Sequence, residues 1–555
     1  MSRPPASSRS HADRRTALVL VLGALVIYNL NFRVIQDGDT VPARLLPFSL
    51  WRAGSVNLDS VAGLASAVPP GKPYHEAYWL HRSPAGHLYG TYPIVTPVLV
   101  APLYAPAAAY LAWRGWEPWR LQNTSLRMEK LAASLLAALS VGLFYLLARR
   151  AAGPPRALLA AVAYGFATGT WVISGQALWL HGMGELLAVC ALLAATARGS
   201  TASLVAAGLA CGLLAVNRPP DAALAAAVLA YLLIRHRERA LWAVAAAAAA
   251  SAPFALYNLA VFGQWAGGYA WAVSGTHPYL SHPLLPGLAG LLLSPGKGLL
   301  IFSPFLWFLA GRAVPSGLPA GNGPGAGPAV VHEPPPAGSA PPPRSARPDR
   351  SVAPAGSVPP DRLLELAVVA AVLAQLYVYA RADFRAGACY GPRYLTDVLP
   401  VLVWLLVPVV ARLRGWGLRA FVAAVVAGIA IQAVGAFCYP RGKTDALFYP
   451  PGLDRMVIAP AVWSFRNAPF LVEARAGLAP PELLPHRLAP GPLPLRIKID
   501  KRRASLLRCA SRAPCLEALM FLGSSVVERS AVNRLVGGSN PSRGAISPLF
   551  PRFPR

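Results

Sequence analysis

Two carboxylates stand one residue apart in Asp37-Gly38-Asp39-Thr40, with Pro42, Ala43 and Arg44 just behind them. They follow an apolar run, Ala17 to Ile27, that ends in Asn29, Asn31 and Arg33. Like charges this close at the mouth of a membrane span are a costly arrangement. The pair reads either as a catalytic carboxylate facing the outside of a cell or as a solvated loop behind a signal-anchor. An Asp-x-Asp pair can also bind Mg²⁺ or Mn²⁺ through oxygen ligands, so the metal question stays open; no other cofactor is implied. His181 and Glu185 lie one helical turn apart, close to Trp179, and could face one cavity. No second histidine stands at i+4, so a zinc site is not expected. An interfacial tryptophan with a polar pair capping a helix is the competing meaning.

The elements that position these groups are membrane helices. Of 555 residues, 55% are hydrophobic and only 13% charged, against about 25% charged in soluble proteins, and mean hydropathy is +0.45. Spans of about 20 apolar residues are expected at 17–27, 128–147, 157–173, 182–197, 202–216, 222–234, 241–261 and 288–310. Three more are expected at 363–379, 395–410 and 420–437. Ile94–Ala112 is interrupted by Pro97, Pro102 and Pro106, which favour a broken or membrane-dipping helix. If it does not cross, Arg14–Arg15, Arg149–Arg156, Arg235–Arg239 and Arg412–Arg419 all fall on one side, the positive-inside pattern. The expectation is therefore an all-α polytopic transmembrane bundle of about 11 spans (10–13). Its N-terminus is cytoplasmic, and a long first outside loop, 33–127, carries interfacial helices.

Over residues 1–312 that topology places Asp37, Asp39, Asp59, Glu76, Glu117, Glu129, Glu185 and Asp221 outside, against Asp13 and Glu238 inside. Chemistry, if any, faces outward. The net charge of +28 is accounted for by cytoplasmic arginines facing anionic lipid, so no nucleic-acid partner is expected. Residues 1–312 form the first module. Residues 313–360, with runs such as Pro334–Pro336 and Pro341–Pro343, read as a disordered linker. Spans resume over 361–437, and 438–489 is a short outside segment. From 490 the apolar periodicity ends, and 12 basic residues face 3 acidic ones. Gly523-Ser524-Ser525 to Arg529 and Gly538-Ser539-Asn540-Pro541 resemble a translated bacterial tRNA gene, so 490–555 is expected to be a read-through tail. A disulfide between Cys389 and Cys438 is a minor alternative to two free thiols.

Several stretches in order carry a family resemblance: the acidic motif after the first span, TYPIVTPVLVAPLY, RMEKLAASLLAALSVGLFYLLARR, GQALWLHG, NRPPD, LLLSPGKGLLIFSP and CYGPRYLTDVLP. Over about Arg15 to Val472 the chain resembles GT-C glycosyltransferases, near the protein mannosyltransferase and ArnT-like branch. That family commonly has Asp-x-Glu where this chain has Asp-Gly-Asp, leaving open which carboxylate acts. The resemblance implies sugar transfer from a polyprenyl-phosphate donor to a cell-envelope acceptor, on the outer face of a bacterial inner membrane. Such transfer needs a carboxylate to deprotonate the acceptor hydroxyl, here Asp39 or Asp37, and gives inversion. The leaving phosphate needs a cation, from among Lys297, Arg393, Arg218 and Arg44. Arg44 and Arg393 could instead snorkel to lipid headgroups, and Asp221 could simply begin a helix. His181, Glu185, Trp179 and Tyr394 are the expected cavity residues, and Trp79, Tyr89 and Tyr92 could stack on sugars or form an aromatic belt. The alternative class is a transporter or lipid flippase, which would show internal repeats and mid-span charges.

Overall fold

The computed structural model describes residues 6–63, 79–268 except 198, 280–312, 361–439 except 383 and 386, 443–448 and 460–484. The linker 313–360 and the tail from 490 lie outside the described residues. What is described is helical apart from one antiparallel hairpin, β1 (Leu80–Arg82) with β2 (Leu88–Gly90), in the register Leu80↔Gly90.

The first helix, α1 (Ala6–Asn29), is followed by α2 (Val41–Ala53), α3 (Asp59–Ala62) and α4 (Val95–Val100). Next come α5 (Ala105–Arg114), α6 (Pro118–Ala148), α7 (Pro154–Phe166), α8 (Leu180–Ala195), α9 (Thr201–Asn217), α10 (Ala222–His236) and α11 (Leu241–Phe262). After the undescribed 269–279 stand α12 (Leu284–Leu293) and α13 (Leu299–Phe302). Beyond the linker are α14 (Arg362–Arg381), α15 (Leu399–Arg412), α16 (Gly415–Cys438), α17 (Lys443–Phe448) and α18 (Pro469–Ala476).

Among the described residues, five helical stretches are long and apolar enough to cross a membrane: Val95–Arg114, Pro118–Ala148, Pro219–Phe262, Arg362–Arg381 and Gly415–Cys438. Helices α8, α9, α12 and α15 are shorter but apolar. The chain is a polytopic helical membrane protein. Bundle contacts are close where side chains are small. On α9, a Cβ added to Gly208 would lie 2.1 Å from the Ala243 carbonyl oxygen, and one on Gly212 2.2 Å from that of Ala247. This is the small-xxx-small packing by which helices associate in lipid, where the hydrophobic effect gives no drive.

Two expected spans are not continuous. The segment 288–310 breaks between α12 and α13, because Pro295 cannot continue the ladder and Ser294 and Gly296 bond instead to the Val462 carbonyl (2.7 and 3.0 Å). The segment 157–173 ends its α-helix at Phe166, where the Thr168 hydroxyl bonds back to Tyr164 O (2.5 Å) and a π-turn, Thr170–Ser174, follows. The proline-rich 94–112 runs as α4, a 3₁₀ turn at Ala101–Tyr104, and α5.

The arginine clusters share one end of the bundle. Arg149 pairs with Asp13 (2.8 Å), Arg150 donates to Leu193 O and Thr196, and Arg156 donates to Leu413 O (2.7 Å). Arg239 donates to Gly199 O (3.0 Å), Arg235 meets Asp361 (3.6 Å) and Arg312 pairs with Glu365. Asp37, Asp39, His181, Arg218 and Arg393 lie at the other end, after α1, at the start of α8, before α10, and ahead of α15.

Candidate active site

Asp37 and Asp39 are delivered differently. Asp37 is extended (φ −135°, ψ 178°) and caps the 3₁₀ turn Gly38–Thr40, accepting from Gly38 N at 2.6 Å. Asp39, inside that turn, projects away from it. Its Oδ1 accepts from the Tyr92 hydroxyl (2.6 Å) and its Oδ2 from Arg393 Nη1 (2.9 Å). Tyr92 is placed by the hairpin, which Asp59 anchors through Leu88 N and His87 Nδ1 (both 2.7 Å). The Arg393 guanidinium lies 4.5 Å from the ring centroid of Trp179, a cation–π contact that fixes its plane. Residues 354 positions apart in sequence thus form one ion pair, backed by an aromatic face.

A second ion cluster lies beside the first. Asp397 Oδ2 lies 2.9 Å from His181 Nδ1 and pairs with Arg218. Arg218 also donates to the Tyr379 hydroxyl (3.0 Å), and Tyr379 stacks on Tyr394 with centroids 4.8 Å apart. Trp179 joins the clusters, its ring 6.4 Å from that of His181. Asp221 is buried near by and accepts from Gln375 (3.4 Å); its carboxylate does not cap α10.

The other expected residues go elsewhere. Glu185 is not in the His181 cavity; it turns into the helix packing and accepts from Thr170 (3.0 Å) and Tyr164 (3.2 Å). Arg44 does not snorkel. It is 1% exposed, bonded to Gln36 and Gln122 and 3.5 Å from the Glu129 carboxylate. Burial pushes its guanidinium's pKa down, and Glu129 opposes that shift. Lys297 Nζ donates to the carbonyls of Cys389 (2.6 Å) and Gly387 (3.3 Å) and lies 3.2 Å from Cys389 Sγ. It therefore pins the 387–389 segment, whose Ala388 and Cys389 line a small cleft with Gln36, Trp179 and Tyr390. Cys389 and Cys438 are both free thiols. Trp79 is buried, and Tyr89 packs edge-on against Tyr257. Among the described residues, no three His, Cys, Asp or Glu side chains converge as metal ligands.

Sequence reasoning passed over Asp397, Tyr379 and the polar tie beneath the site. In that tie Gln176 Oε1 accepts from Lys130 Nζ (2.5 Å) and Asn31 (2.6 Å), and Glu129 accepts from Leu178 N (3.2 Å). The signal for Asp397 was present: an acid four residues after Arg393, at the mouth of an apolar helix.

No protein-family model matches the chain, and no curated protein matches it significantly. Among solved structures, the chain is similar to ArnT from Cupriavidus metallidurans bound to undecaprenyl phosphate. The TM-score is 0.43 at 16% identity, covering 87% of this chain and 78% of that one. The apo state of the same protein gives 0.41 at 15% identity over the same shares.

Proposed function

We propose that this protein is a membrane glycosyltransferase. It moves a sugar from a polyprenyl-phosphate donor to a hydroxyl of a cell-envelope acceptor, with inversion, at the end of the bundle facing the outside of a bacterial cell membrane. The observation that carries this reading is the Asp39 carboxylate held 2.9 Å from an arginine that is itself stacked on Trp179. Proton acceptor and anion receptor stand side by side, as attack on an anomeric carbon bearing a phosphate leaving group requires.

In this mechanism Asp39 takes the acceptor's proton as its oxygen attacks the anomeric carbon and the bond to the phosphate oxygen breaks. The departing phosphate is already an anion and needs a cation, not an acid. Arg393 supplies it, since a guanidinium has five N–H donors and can hold a carboxylate and a phosphate together. Arg218 is the second phosphate candidate. Lys297 acts through the 387–389 segment it holds, and Arg44 acts through the α2–α6 contact. Asp37 shapes the turn that aims Asp39.

The test is transfer of radiolabelled sugar from a polyprenyl-phosphate donor in membranes carrying each variant. Asp39→Asn should reduce transfer by about 10²–10⁴ with donor binding retained. Arg393→Ala should weaken donor binding and turnover together, because a phosphate contact acts in both ground and transition states. Loss in Asp37→Asn but not in Asp39→Asn would swap the roles, and full activity in both would sink the transferase reading.

A further inference from the structure

Asp397 and His181 are nearly sealed from solvent, their side chains 2% and 5% exposed. The imidazole Nδ1 lies 2.9 Å from Asp397 Oδ2, and Arg218 approaches the same oxygen. Arg218 Nη1 is also 3.0 Å from Nδ1. An arginine can only donate, and Asp397 is there to receive it. Were Nδ1 unprotonated, its lone pair would face a carboxylate oxygen at hydrogen-bond distance, which is repulsive. With the proton on Nδ1 the same contact is a charge-assisted hydrogen bond. The tautomer is thereby set, and the lone pair sits on Nε2, the ring edge turned away from Asp397.

The position of Asp397 is itself built in. Gly184 lies one turn after His181 on α8, and a Cβ there would stand 2.6 Å from Asp397 Oδ1 and 3.2 Å from Asp221 Oδ2. Only a residue without a side chain leaves room for that carboxylate. Asp397 follows Arg393 by one short turn, and Trp179 packs against both the His181 ring and the Arg393 guanidinium that carries Asp39. The imidazole therefore borders the same site as Asp39.

We propose that Asp397 is a positioning residue that locks His181 in the Nδ1–H form, so that Nε2 is a fixed acceptor for a hydroxyl of the saccharide being transferred. The saccharide assignment rests on the transferase reading; the locked tautomer does not. A saccharide hydroxyl is the donor such a lone pair would take, and a site built to accept one discriminates strongly against a substrate lacking it.

The test uses full-length protein in detergent with ¹⁵N-labelled histidine, the His181 resonances being assigned by loss in His181→Gln. Wild type should show a protonated Nδ1 and an unprotonated Nε2. Asp397→Ala removes the acceptor and leaves Arg218, 3.0 Å away, as the donor facing Nδ1, so the proton should move to Nε2. The variant should also slow diethyl pyrocarbonate modification of His181, read by mass spectrometry, by about tenfold or more, while His87 reacts unchanged. If Asp397→Ala does not fold, Gly184→Ala displaces the same carboxylate, and the wild-type resonances decide alone. An Nε2–H tautomer in wild type, or an equal modification rate with and without the carboxylate, overturns the lock.

The hydroxyl contact is read by protection of His181 from the reagent. Undecaprenyl-phosphate hexoses or pentoses should protect it and undecaprenyl phosphate should not. Equal protection by the bare carrier, or no protection by bound sugar lipids, overturns the contact. If tryptophan fluorescence shows that none of these lipids binds, the transferase reading and with it the saccharide contact fall, while the tautomer still stands or falls on its own resonances.

Discussion

Arg44 and Glu129 are both sealed from solvent, so their pairing bears on stability before catalysis. Removing one partner of a buried ion pair strands the other and costs about 3–5 kcal/mol, whereas replacing both with apolar groups is often neutral. Glu129→Leu should therefore lower the melting temperature markedly, and Glu129→Leu with Arg44→Met should recover most of the loss. If the double variant melts with the single one, the pair is not what makes Glu129 important. Glu473 gives a residue-scale dependence on pH. Burial raises its carboxyl above the ordinary value, Asp445 adds to the rise, and two hydrogen bonds from Thr444 and the charge of Lys443 oppose it. The folded state thus prefers the neutral carboxyl. Its contribution to stability is full at low pH and lost as pH rises from the unfolded value through the folded one. Glu473→Gln should raise the melting temperature at pH 8 and leave it unchanged at pH 4. An equal difference at both pH values would show that charge is not the cause.

At the scale of elements, helix contacts decide where the site residues sit. The α9–α11 seam rests on Gly208 and Gly212, four residues apart, facing Ala243 and Ala247, also four apart. A leucine at 212 has no space without moving α11 and so disturbs the turn carrying Arg218, one residue beyond the end of α9. Gly212→Leu should destabilise the protein by about 1–3 kcal/mol or more. Thermal denaturation in detergent checks this, and an unshifted melting temperature would mean that the seam is looser than its geometry. Breaks matter as much as seams. The interruption between α12 and α13 carries Lys297 to the 387–389 segment, and the π-turn after α7 places Gln176 over Lys130 and Asn31. Hydropathy counts both segments as spans because apolar content is the same in a broken helix as in a whole one; the prolines and hydroxyls decide.

Over the whole molecule, the arginine clusters gather at one end and the Asp39 and Asp397 clusters at the other. We expect positions 149, 237 and 414 to face the cytoplasm and positions 39, 179 and 393 the outside. Single-cysteine variants labelled in intact cells with a membrane-impermeant maleimide check this. Labelling of position 237 from outside would reverse the orientation and place the site on the wrong face for an external acceptor. The number of crossings is carried by the same experiment at positions 94 and 113, since 95–114 is long and apolar enough to cross.

Composition by itself determined that this chain is a helical membrane protein, and charge order set the expectation that its basic loops share a side. Both are additive properties of many residues, insensitive to any one contact. Asp39 and Arg393 were legible as candidates because a charge at the mouth of an apolar helix is costly and so conspicuous. Their union was not legible, since nothing in a linear pattern relates positions 354 residues apart. The opposite fates of His181 and Glu185 were likewise out of reach. One turn of helix puts them on the same face, but neighbours from elsewhere in the chain, Asp397 for one and Thr170 and Tyr164 for the other, choose their partners. Arg44 and Lys297 looked like free cations because a sequence does not show which carboxylate or carbonyl will satisfy them. Only the tertiary structure decided that, because burying a charge is tolerable only with its partner already in place.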